Sequence, residues 1–282
     1  MDLIRTVQEV RQRVESCRKN SKTIELVPTM GALHAGHASL IEAARARAGV
    51  VCVSIFVNPL QFGPKEDYER YPRPLEKDME VCERKGTDIV FAPSVEEMYV
   101  SEQRTFVEVT HLGDNLCGPF RPGHFRGVAT VVAKLLSIVR PDRAYFGEKD
   151  YQQLCIIRRM VVDLNLGVEI IPVPTCRDSD GLAISSRNAY LEPAERAVAP
   201  ALYRALMSAR QMIEEGERNA QVVKEASTWI LGAEARIRTE YFEIVDPIDV
   251  QPVDQIRGEV RIAGAIWIGK TRLIDNVAAS PR

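Results

Sequence analysis

The 282-residue sequence has no excess of charge of either sign and no long apolar run. Its 37 lysines and arginines nearly balance 39 acidic residues, which leaves a net charge of −2. A protein that coats nucleic acid or an anionic membrane needs a strongly basic surface, so this class is excluded and any bound anion must be held by a local site. The longest apolar stretch, at 50–57, is far too short to span a bilayer.

Several common catalytic signatures are also missing. The chain contains no Walker loop, no GxGxxG dinucleotide turn, no GxSxG nucleophile elbow and no kinase signature, which removes glycine-led phosphate binding and serine hydrolysis. The six cysteines stand far apart, without a CxxC pair or a Cys/His cluster at zinc-ligand spacing. We expect reduced, mostly buried thiols at Cys17, Cys52, Cys82, Cys117, Cys155 and Cys176.

The composition is that of a globular protein. Hydrophobic residues make up 45% and charged residues 27% of the chain, which excludes disordered, collagenous and coiled-coil classes. The first twenty residues carry charge throughout and lack the apolar core of a signal peptide. We therefore expect a soluble cytoplasmic protein with one large domain or two modest ones.

Strand-like and helix-like segments alternate through about the first 175 residues. Such alternation predicts an α/β fold with a parallel sheet that is covered by helices on both faces. Ser94 and Glu97 form a predicted capping box before one short helix. The other predicted helices lie at 3–17, 37–48, 74–86, 127–139 and 151–164, and the predicted strands at 24–27, 50–57, 88–91, 105–109, 143–146 and 168–173.

The pattern changes beyond Arg187. Two long helical stretches, at 193–215 and 220–237, precede two strand candidates at 240–245 and 260–268. Helices followed by strands indicate a small α+β domain rather than a continued alternation. We predict a first domain at 1–175 and a second at 176–282.

The most informative stretch is PTMGALHAGH, at 28–37. A strand that ends in a glycine-bounded loop here delivers two histidines to the start of a helix, where free backbone amides and the helix dipole suit a phosphate. His34 and His37 can donate hydrogen bonds to a polyphosphate and stabilise charge when an α-phosphate is attacked. Alternatively, they only cap and pack. Zinc is disfavoured, because the HExxH spacing and a third ligand are missing.

Two further segments suit a nucleotide. FGEKDYQQ, at 146–153, lies where a predicted strand ends, the edge at which open α/β sheets bind ligands. Lys149 suits a phosphate and Asp150 a ribose hydroxyl, and a buried salt bridge between them is the alternative. DGLAISSRN, at 180–188, combines a glycine turn, serine donors and Arg187, and suits a mobile loop over a triphosphate. A solvated turn is the alternative for this segment.

A fourth segment, FVNPLQF at 56–62, carries two amide side chains. Asn58 and Gln61 follow the predicted strand at 50–57, where their neighbours are apolar. An amide in such surroundings can recognise a hydroxyl or carboxylate group, because leaving it unpaired there is costly.

Taken in order, these segments closely resemble the pantoate–β-alanine ligase family of the nucleotidyltransferase superfamily, and the match spans nearly the whole chain. The resemblance implies that pantoate attacks the α-phosphate of ATP, which gives pantoyl adenylate and pyrophosphate, and that β-alanine then displaces AMP. It also implies a Rossmann-like sheet domain, an α+β lid domain, Mg²⁺ with the ATP, and a homodimer. The motifs are PTMGALHAGH, FVNPLQF, YPR at 71–73, CGPFRPGHFRGVATVVAKL at 117–135, FGEKDYQQ and DGLAISSRN.

The resemblance also implies roles for individual residues. His34, His37, Lys149 and Arg187 would act on the phosphates. Gln61 and Gln153 would bind pantoate, with Gln61 also at β-alanine, and Asp78 would lie near the metal. Tyr71 is a weaker candidate near the phosphates. The ATP-binding set is Met30, Gly31, Ala32, Leu33, His34, Ala35, Gly36, His37, Gly147, Glu148, Lys149, Asp150, Cys176, Ile184, Ser185, Ser186 and Arg187.

Small departures and rival interpretations accompany this resemblance. Cys176 and Ile184 stand where other apolar residues are expected, at positions where backbone atoms do the work. The segment at 121–127 is either a covering element that excludes water from the mixed anhydride or a static wall. A different nucleotidyltransferase would share the two histidines but not Gln61 and Gln153, and a catalytically silent nucleotide sensor would lack a phosphate-binding residue.

Overall fold

The computed structural model describes residues 1–64, 66–99 and 102–281. The chain divides into two compact units. The predicted domain division at 175/176 stays a prediction, since segments 110–120 and 149–155 belong to the second unit. The first unit comprises Met1–Val109, Arg121–Glu148 and Ile156–Pro174, and the second comprises Thr110–Phe120, Lys149–Cys155 and Thr175–Arg282.

Six parallel strands form the sheet of the first unit, which confirms the predicted α/β fold. Their spatial order is β1-β4-β3-β2-β5-β6, and every neighbouring pair is parallel. The order reverses between β2 and β5, so the carboxyl ends of these two strands form the switch point at which such sheets bind ligands. The strands are β1 (Asp2–Ile4), β2 (Ile24–Thr29), β3 (Val50–Ile55), β4 (Ile89–Phe91), β5 (Arg143–Gly147) and β6 (Glu169–Val173).

Burial explains why the central strands read as continuous apolar runs. Leu26, Val27 and Val53 are fully buried, as a strand covered on both faces must be. The first helix shows the predicted amphipathic period, with Val10 and Val14 buried one turn apart. The helices here are α1 (Val7–Lys19), α2 (Ala35–Arg45), α3 (Leu75–Arg84), α4 (Val95–Met98), α5 (His124–Val139) and α6 (Tyr151–Asp163).

The second unit contains a three-stranded antiparallel sheet with helices, as the sequence predicts for the C-terminal part. The strand order is β7-β8-β9, and residues of α8 and of the sheet share one apolar core. Across the described parts of the chain, we find no helix with the length and apolar character that a membrane span requires. The elements are α7 (Pro193–Val198), α8 (Ala201–Glu214), α9 (Ala220–Gly232), β7 (Ile237–Val245), β8 (Val260–Ile268) and β9 (Thr271–Ala279).

Several predicted elements are wrong. The segment 105–109 is not a strand: the Val107 amide donates to Thr130 Oγ1 at 3.0 Å instead of to a neighbouring strand. The predicted helix 193–215 is two helices, α7 and α8, which separate at Ala199 and Pro200 because proline cannot donate a helical hydrogen bond. The predicted helix 220–237 ends at Gly232, and Ile237, the last residue of the predicted range, is the first residue of β7.

Two strands and one cap also differ from the prediction. β1 lies where the sequence predicts the start of a helix, and β9 escapes prediction because polar residues interrupt it. The capping box before α4 is only half formed, since Ser94 Oγ accepts from the Glu97 amide at 3.2 Å while Glu97 Oε1 accepts from the Val7 amide at 2.7 Å.

Candidate active site

A glycine and a buried carboxylate shape the turn that follows β2. Gly31 and Ala32 adopt left-handed backbone, with φ of 81° and 51°, and a Cβ on Gly31 would lie 2.9 Å from Asp78 Oδ2. Asp78, on α3, is 2% exposed and accepts hydrogen bonds from the amides of Ala32 (2.9 Å) and Leu33 (2.7 Å). Burial raises the pKa of Asp78, and the two amides oppose that rise. Asp78 therefore holds the turn in the shape that leads into α2.

His34 and His37 contact each other at the N-terminus of α2. His34 Nδ1 accepts from the Gly36 amide at 3.1 Å, and His37 Nδ1 accepts from the His34 amide at 3.3 Å. The ring centroids lie 4.0 Å apart. Because each Nδ1 is an acceptor, a neutral ring carries its proton on Nε2. The capping role considered above is therefore real, and it also sets the orientation of two Nε2–H donors.

Buried amide contacts position Gln61 beyond the carboxyl end of β3. Asn58 Nδ2 donates to Gln61 Oε1 and to the Gly127 carbonyl, both at 3.1 Å, and Asn58 Oδ1 accepts from the Tyr99 hydroxyl at 2.7 Å. Gln61 Nε2 contacts Met30 Sδ at 3.0 Å. The structure thus brings Gln61 to the residue that begins the histidine turn, and Asn58 fixes the direction of its amide.

The segment at 121–127 packs closely against Gln61. A Cβ on Gly127 would lie 2.1 Å from the Leu60 carbonyl oxygen, so only glycine permits this approach. His124 Nδ1 lies 2.9 Å from the Gln61 carbonyl oxygen, and Arg121 Nε donates to Glu66 Oε1 at 2.8 Å. These contacts favour the static wall over the covering element.

A cavity of about 250 Å³ borders the histidine turn within the first unit. It lies at the carboxyl ends of β2, β3 and β4, and Met30, Gly31 and Asp78 are among the residues that line it. A ligand atom can therefore approach the turn from this side without displacing the core. Tyr71 is buried in the same unit, where its ring packs edge-on against Phe62 with centroids 5.9 Å apart.

Gly147 is the last residue of β5 and pairs with Val173 of β6, and Glu148 follows it. Both residues lie in the first unit. The next two site residues belong to the second unit. Lys149 Nζ lies 3.8 Å from Asp150 Oδ2, and the two side chains are 20% and 48% exposed. The pair is thus a loose, partly exposed contact rather than the buried salt bridge that we considered as an alternative.

Adjacent glutamines on α6 have different surroundings. The Gln152 amide is 5% exposed and is occupied by backbone groups: it accepts from the Cys117 amide (3.0 Å) and donates to the carbonyls of Leu112 (2.9 Å) and Asn115 (2.7 Å). Gln153 is half-buried. Gln152 therefore has a structural role, which leaves Gln153 as the ligand candidate.

The segment at 176–187 forms a loop in the second unit, and hydrogen bonds within the segment hold its shape. The Ile184 amide donates to the Cys176 carbonyl at 2.9 Å, and Gly181 turns the chain with φ of 92°. Ser185 Oγ accepts from the Arg187 amide at 3.3 Å and begins the 3-10 helix Ser186–Tyr190. The mobility that we expect of this loop stays a prediction.

All six cysteines are free thiols, and five of them are buried, as the sequence predicts. Burial raises the pKa of Cys52 to about 12 and that of Cys82 to about 11. A thiolate nucleophile is therefore disfavoured at both positions. Cys176 is half-buried and is the remaining candidate for sulfur chemistry near the loop.

We expect the Cys176→Ser variant to keep the wild-type rate within about twofold, because no step of the reaction that the resemblance implies requires sulfur. Replacing all six cysteines by Ala or Ser should lower thermal stability and leave the reaction unchanged. The measurement is AMP formation with a melting curve for each variant. An acyl thioester trapped on Cys176, seen by mass spectrometry after mixing with ATP and pantoate, would contradict this prediction.

The fold and the turn together define a class of protein. A parallel sheet with two histidines at the start of a helix that follows the carboxyl end of a central strand is the arrangement of a nucleotide-binding α/β enzyme. A family model described as pantoate-beta-alanine ligase matches residues 2–278. The chain belongs to the pantoate–β-alanine ligase family.

Known proteins agree with this assignment over their full lengths. A pantothenate synthetase of Thermotoga neapolitana is 54% identical over 276 residues, which cover 98% of this chain and 99% of the relative. The crystal structure of pantothenate synthetase from Thermus thermophilus has a TM-score of 0.93 and 47% identity, with 98% and 99% of the two chains covered. A pantoate-beta-alanine ligase structure from Francisella tularensis, complexed with beta-gamma ATP and beta-alanine, has a TM-score of 0.81, 34% identity and coverage of 98% and 97%.

The activity follows from the family. The protein is a ligase that condenses pantoate with β-alanine in an ATP-dependent reaction and produces pantothenate. The reaction passes through pantoyl adenylate and releases pyrophosphate and AMP. Family membership therefore argues against both rival interpretations, a different nucleotidyltransferase and a catalytically silent nucleotide sensor.

Proposed function

We propose that the turn at 30–37 binds the triphosphate of ATP. The observation that supports this most directly is the paired histidine contact, in which both Nδ1 atoms accept amide hydrogen bonds. The Nε2–H groups of His34 and His37 then supply donors beside the amides of the α2 N-terminus. Such preoriented donors stabilise the charge that develops on the phosphates as the α-phosphorus is attacked. Gly147 and Glu148 extend the nucleotide-binding set at the end of β5.

The same proposal assigns cations of the second unit to the nucleotide. Lys149 and Arg187 neutralise phosphate charge, Asp150 accepts from a ribose hydroxyl, and Ser185 and Ser186 supply donors. Backbone atoms of Cys176 and Ile184 complete the set.

In the first step, a pantoate carboxylate oxygen bonds to the α-phosphorus and pyrophosphate leaves. In the second, the neutral amine of β-alanine attacks the acyl carbon, AMP leaves and the nitrogen loses a proton. Positioning and charge neutralisation suffice for both steps.

Gln61 and Gln153 form the proposed recognition groups for pantoate, and Gln61 also contacts β-alanine. The network through Asn58 supports the role of Gln61, because it fixes which face of the amide donates and which accepts. A fixed amide discriminates better than a mobile one, since less side-chain entropy is lost when the substrate binds. Asn58 therefore acts on pantoate through Gln61 in this proposal.

We propose that Mg²⁺ accompanies ATP and is held mainly by phosphate oxygens. This ion usually takes one or two carboxylates together with substrate phosphates. Asp78 is the candidate carboxylate; a carboxylate has about four acceptor positions, and two of them accept the amides of Ala32 and Leu33. The phosphate oxygens together with the Asp78 carboxylate therefore form a set of ligands that suits Mg²⁺. The bound ion would supply charge neutralisation at the phosphates, while Asp78 keeps the turn in shape.

The proposed chemistry is tested by leaving out each substrate in turn. With ATP, pantoate and β-alanine present, AMP and pantothenate should form in equal amounts. Without β-alanine, one enzyme equivalent of pyrophosphate should appear and pantoyl adenylate should accumulate. Pyrophosphate release in the absence of pantoate would instead support a different nucleotidyltransferase reaction. Omitting Mg²⁺ should abolish turnover.

We propose a homodimer located in the cytoplasm. Twofold symmetric dimers are the commonest soluble oligomers, and six free thiols suit a reducing compartment. The region 105–116 is our candidate interface. Light scattering at micromolar concentration should give about twice the chain mass of 31.6 kDa. A mass equal to one chain would contradict the prediction.

A further inference from the structure

Two polar residues are buried side by side in the last strand of the second unit. Asp275 and Asn276, on β9, are each 5% exposed. Buried charges and amides are costly unless they are paired. Their partners therefore indicate what the two residues do.

Asp275 fixes the base of the loop at 176–187. Its Oδ2 accepts a hydrogen bond from Arg177 Nη1 at 2.5 Å, and its Oδ1 accepts one from Arg177 Nη2 at 2.9 Å. Arg177 also donates to the Gly181 carbonyl at 3.1 Å and lies over the Tyr203 ring, 4.1 Å from its centroid. The bidentate ion pair fixes the orientation of the Arg177 guanidinium. Asp275 thus determines the path of the loop that ends at Arg187.

Asn276 fixes the backbone at Lys149. Its Nδ2 donates to the Lys149 carbonyl at 3.0 Å, and its Oδ1 accepts from Arg261 Nη1 at 3.2 Å. The Arg261 guanidinium lies 3.8 Å from the ring centroid of Tyr151, two residues beyond Lys149. The backbone N–H of Asn276 also donates to Asp275 Oδ1 at 2.7 Å. One strand segment therefore holds both predicted phosphate-binding segments of the second unit.

We propose that Asp275 and Asn276 are positioning residues for the nucleotide: they set Lys149 and the loop at 176–187 in the geometry that adenylate formation needs. The proposal rests on the proposed roles of Lys149 and Arg187. It gives the C-terminal sheet, which carries no sequence motif of its own, a part in the first chemical step. A displacement of about 1 Å in a charged group can reduce a rate a hundredfold, so indirect contacts of this kind affect catalysis.

Two near-isosteric variants test the proposal. Asn276→Asp keeps the acceptor for Arg261 but replaces the donor to the Lys149 carbonyl with a carboxylate oxygen. Asp275→Asn keeps the shape but loses the charge that orients Arg177. We expect each variant to lower kcat/KM for ATP by about 10- to 100-fold. The efficiency kcat/KM for β-alanine should stay within about twofold, because amine attack on the adenylate does not require the triphosphate contacts.

The control is Glu243→Gln on β7. Glu243 Oε2 pairs with Lys224 Nζ at 2.6 Å in the same unit, and this pair joins β7 to α9. We expect it to lower the melting temperature without a selective change in kcat/KM for ATP. Should Asn276→Asp fail to fold, Asn276→Ser removes the same donor without adding a charge and carries the same expectation.

The outcomes separate this proposal from the one on which it rests. If Lys149→Ala loses the rate while both β9 variants keep kcat/KM for ATP within about threefold, the positioning role is wrong. If Lys149→Ala and Arg187→Ala also keep the rate, the proposed function of those two residues fails instead. A β9 variant that loses the efficiency for ATP and for β-alanine equally has a merely structural effect, which would also overturn the proposal.

Discussion

The His37→Ala variant is expected to form pantoyl adenylate roughly 100- to 1000-fold more slowly than the wild type, a loss of about 3 to 4 kcal/mol in transition-state stabilisation. The reason is the orientation of the ring. His37 Nδ1 accepts from the His34 amide, so Nε2 is the ring nitrogen that can donate to a phosphate, and that contact strengthens as charge builds during attack. Pyrophosphate release in a single turnover measures this step directly.

Loss of the cap must be separated from loss of the donor. His37→Asn can keep an acceptor near the position of Nδ1, whereas His37→Gln can place an amide N–H near the position of Nε2. We expect the Gln variant to retain more activity than the Asn variant, although the Asn variant should be the more stable, because removing a helix cap costs about 0.5 to 2 kcal/mol of stability. The reverse order of rates would assign His37 to the cap alone.

Lys149→Ala belongs to the same prediction and should produce a loss of similar size, roughly 100- to 1000-fold. The ammonium group has a loose contact with Asp150 at 3.8 Å, and the buried carboxylate of Asp275 keeps Arg177 as its partner when Lys149 is replaced. The variant therefore leaves no buried charge unpaired and should fold. Circular dichroism checks the fold. If either alanine variant is folded and keeps more than about a tenth of the wild-type rate, the role assigned to that side chain is wrong.

Much of the fold could be predicted from local pattern. Central parallel strands such as β2 and β3 are buried on both faces, so they appear in the sequence as apolar runs between helices. β1 could not be recognised, because it has three residues and pairs with β4, whose residues come far later in the chain, as in the pairing of Asp2 with Ile89. The polar residues of β9 hid that strand for a related reason, since their partners are distant in sequence.

The candidate site shows the same limit. The turn at 30–37 could be predicted because its glycine, histidines and helix start are contiguous. The contact of Asp78 with that turn could not, since 45 and 46 residues separate it from Leu33 and Ala32. Similarly, nothing local connects Asn276 with Lys149, which are 127 positions apart. Motifs reveal the residues that meet ligands, whereas the residues that orient them emerge only from tertiary contacts.

Gln61→Ala and Gln153→Ala are expected to weaken the use of pantoate far more than the use of ATP. The amides can hydrogen-bond the hydroxyl and the carboxylate of pantoate, and removing one leaves a buried group unpaired at a cost of about 1 to 3 kcal/mol, or roughly 5- to 150-fold in kcat/KM for pantoate. For Gln61 the effect should be the larger, because Asn58 has already fixed its amide. Titrating pantoate and ATP separately for each variant measures the difference.

Gln152→Ala is the matched control for Gln153. Its amide is occupied by the backbone groups of three residues, so we expect this variant to lose stability and to keep the wild-type preference for pantoate.

A second test uses the unmodified enzyme with a pantoate analogue that lacks the hydroxyl group. Because that analogue leaves the glutamine amides without a partner, it should be adenylated at least about tenfold less efficiently than pantoate. Equal use of the two acids, or equal loss of ATP and pantoate use in the glutamine variants, would remove Gln61 and Gln153 from the acid pocket. Recognition of pantoate would then have to come from other residues, and the lining of the cavity beside Met30 and Gly31 would be the next place to test.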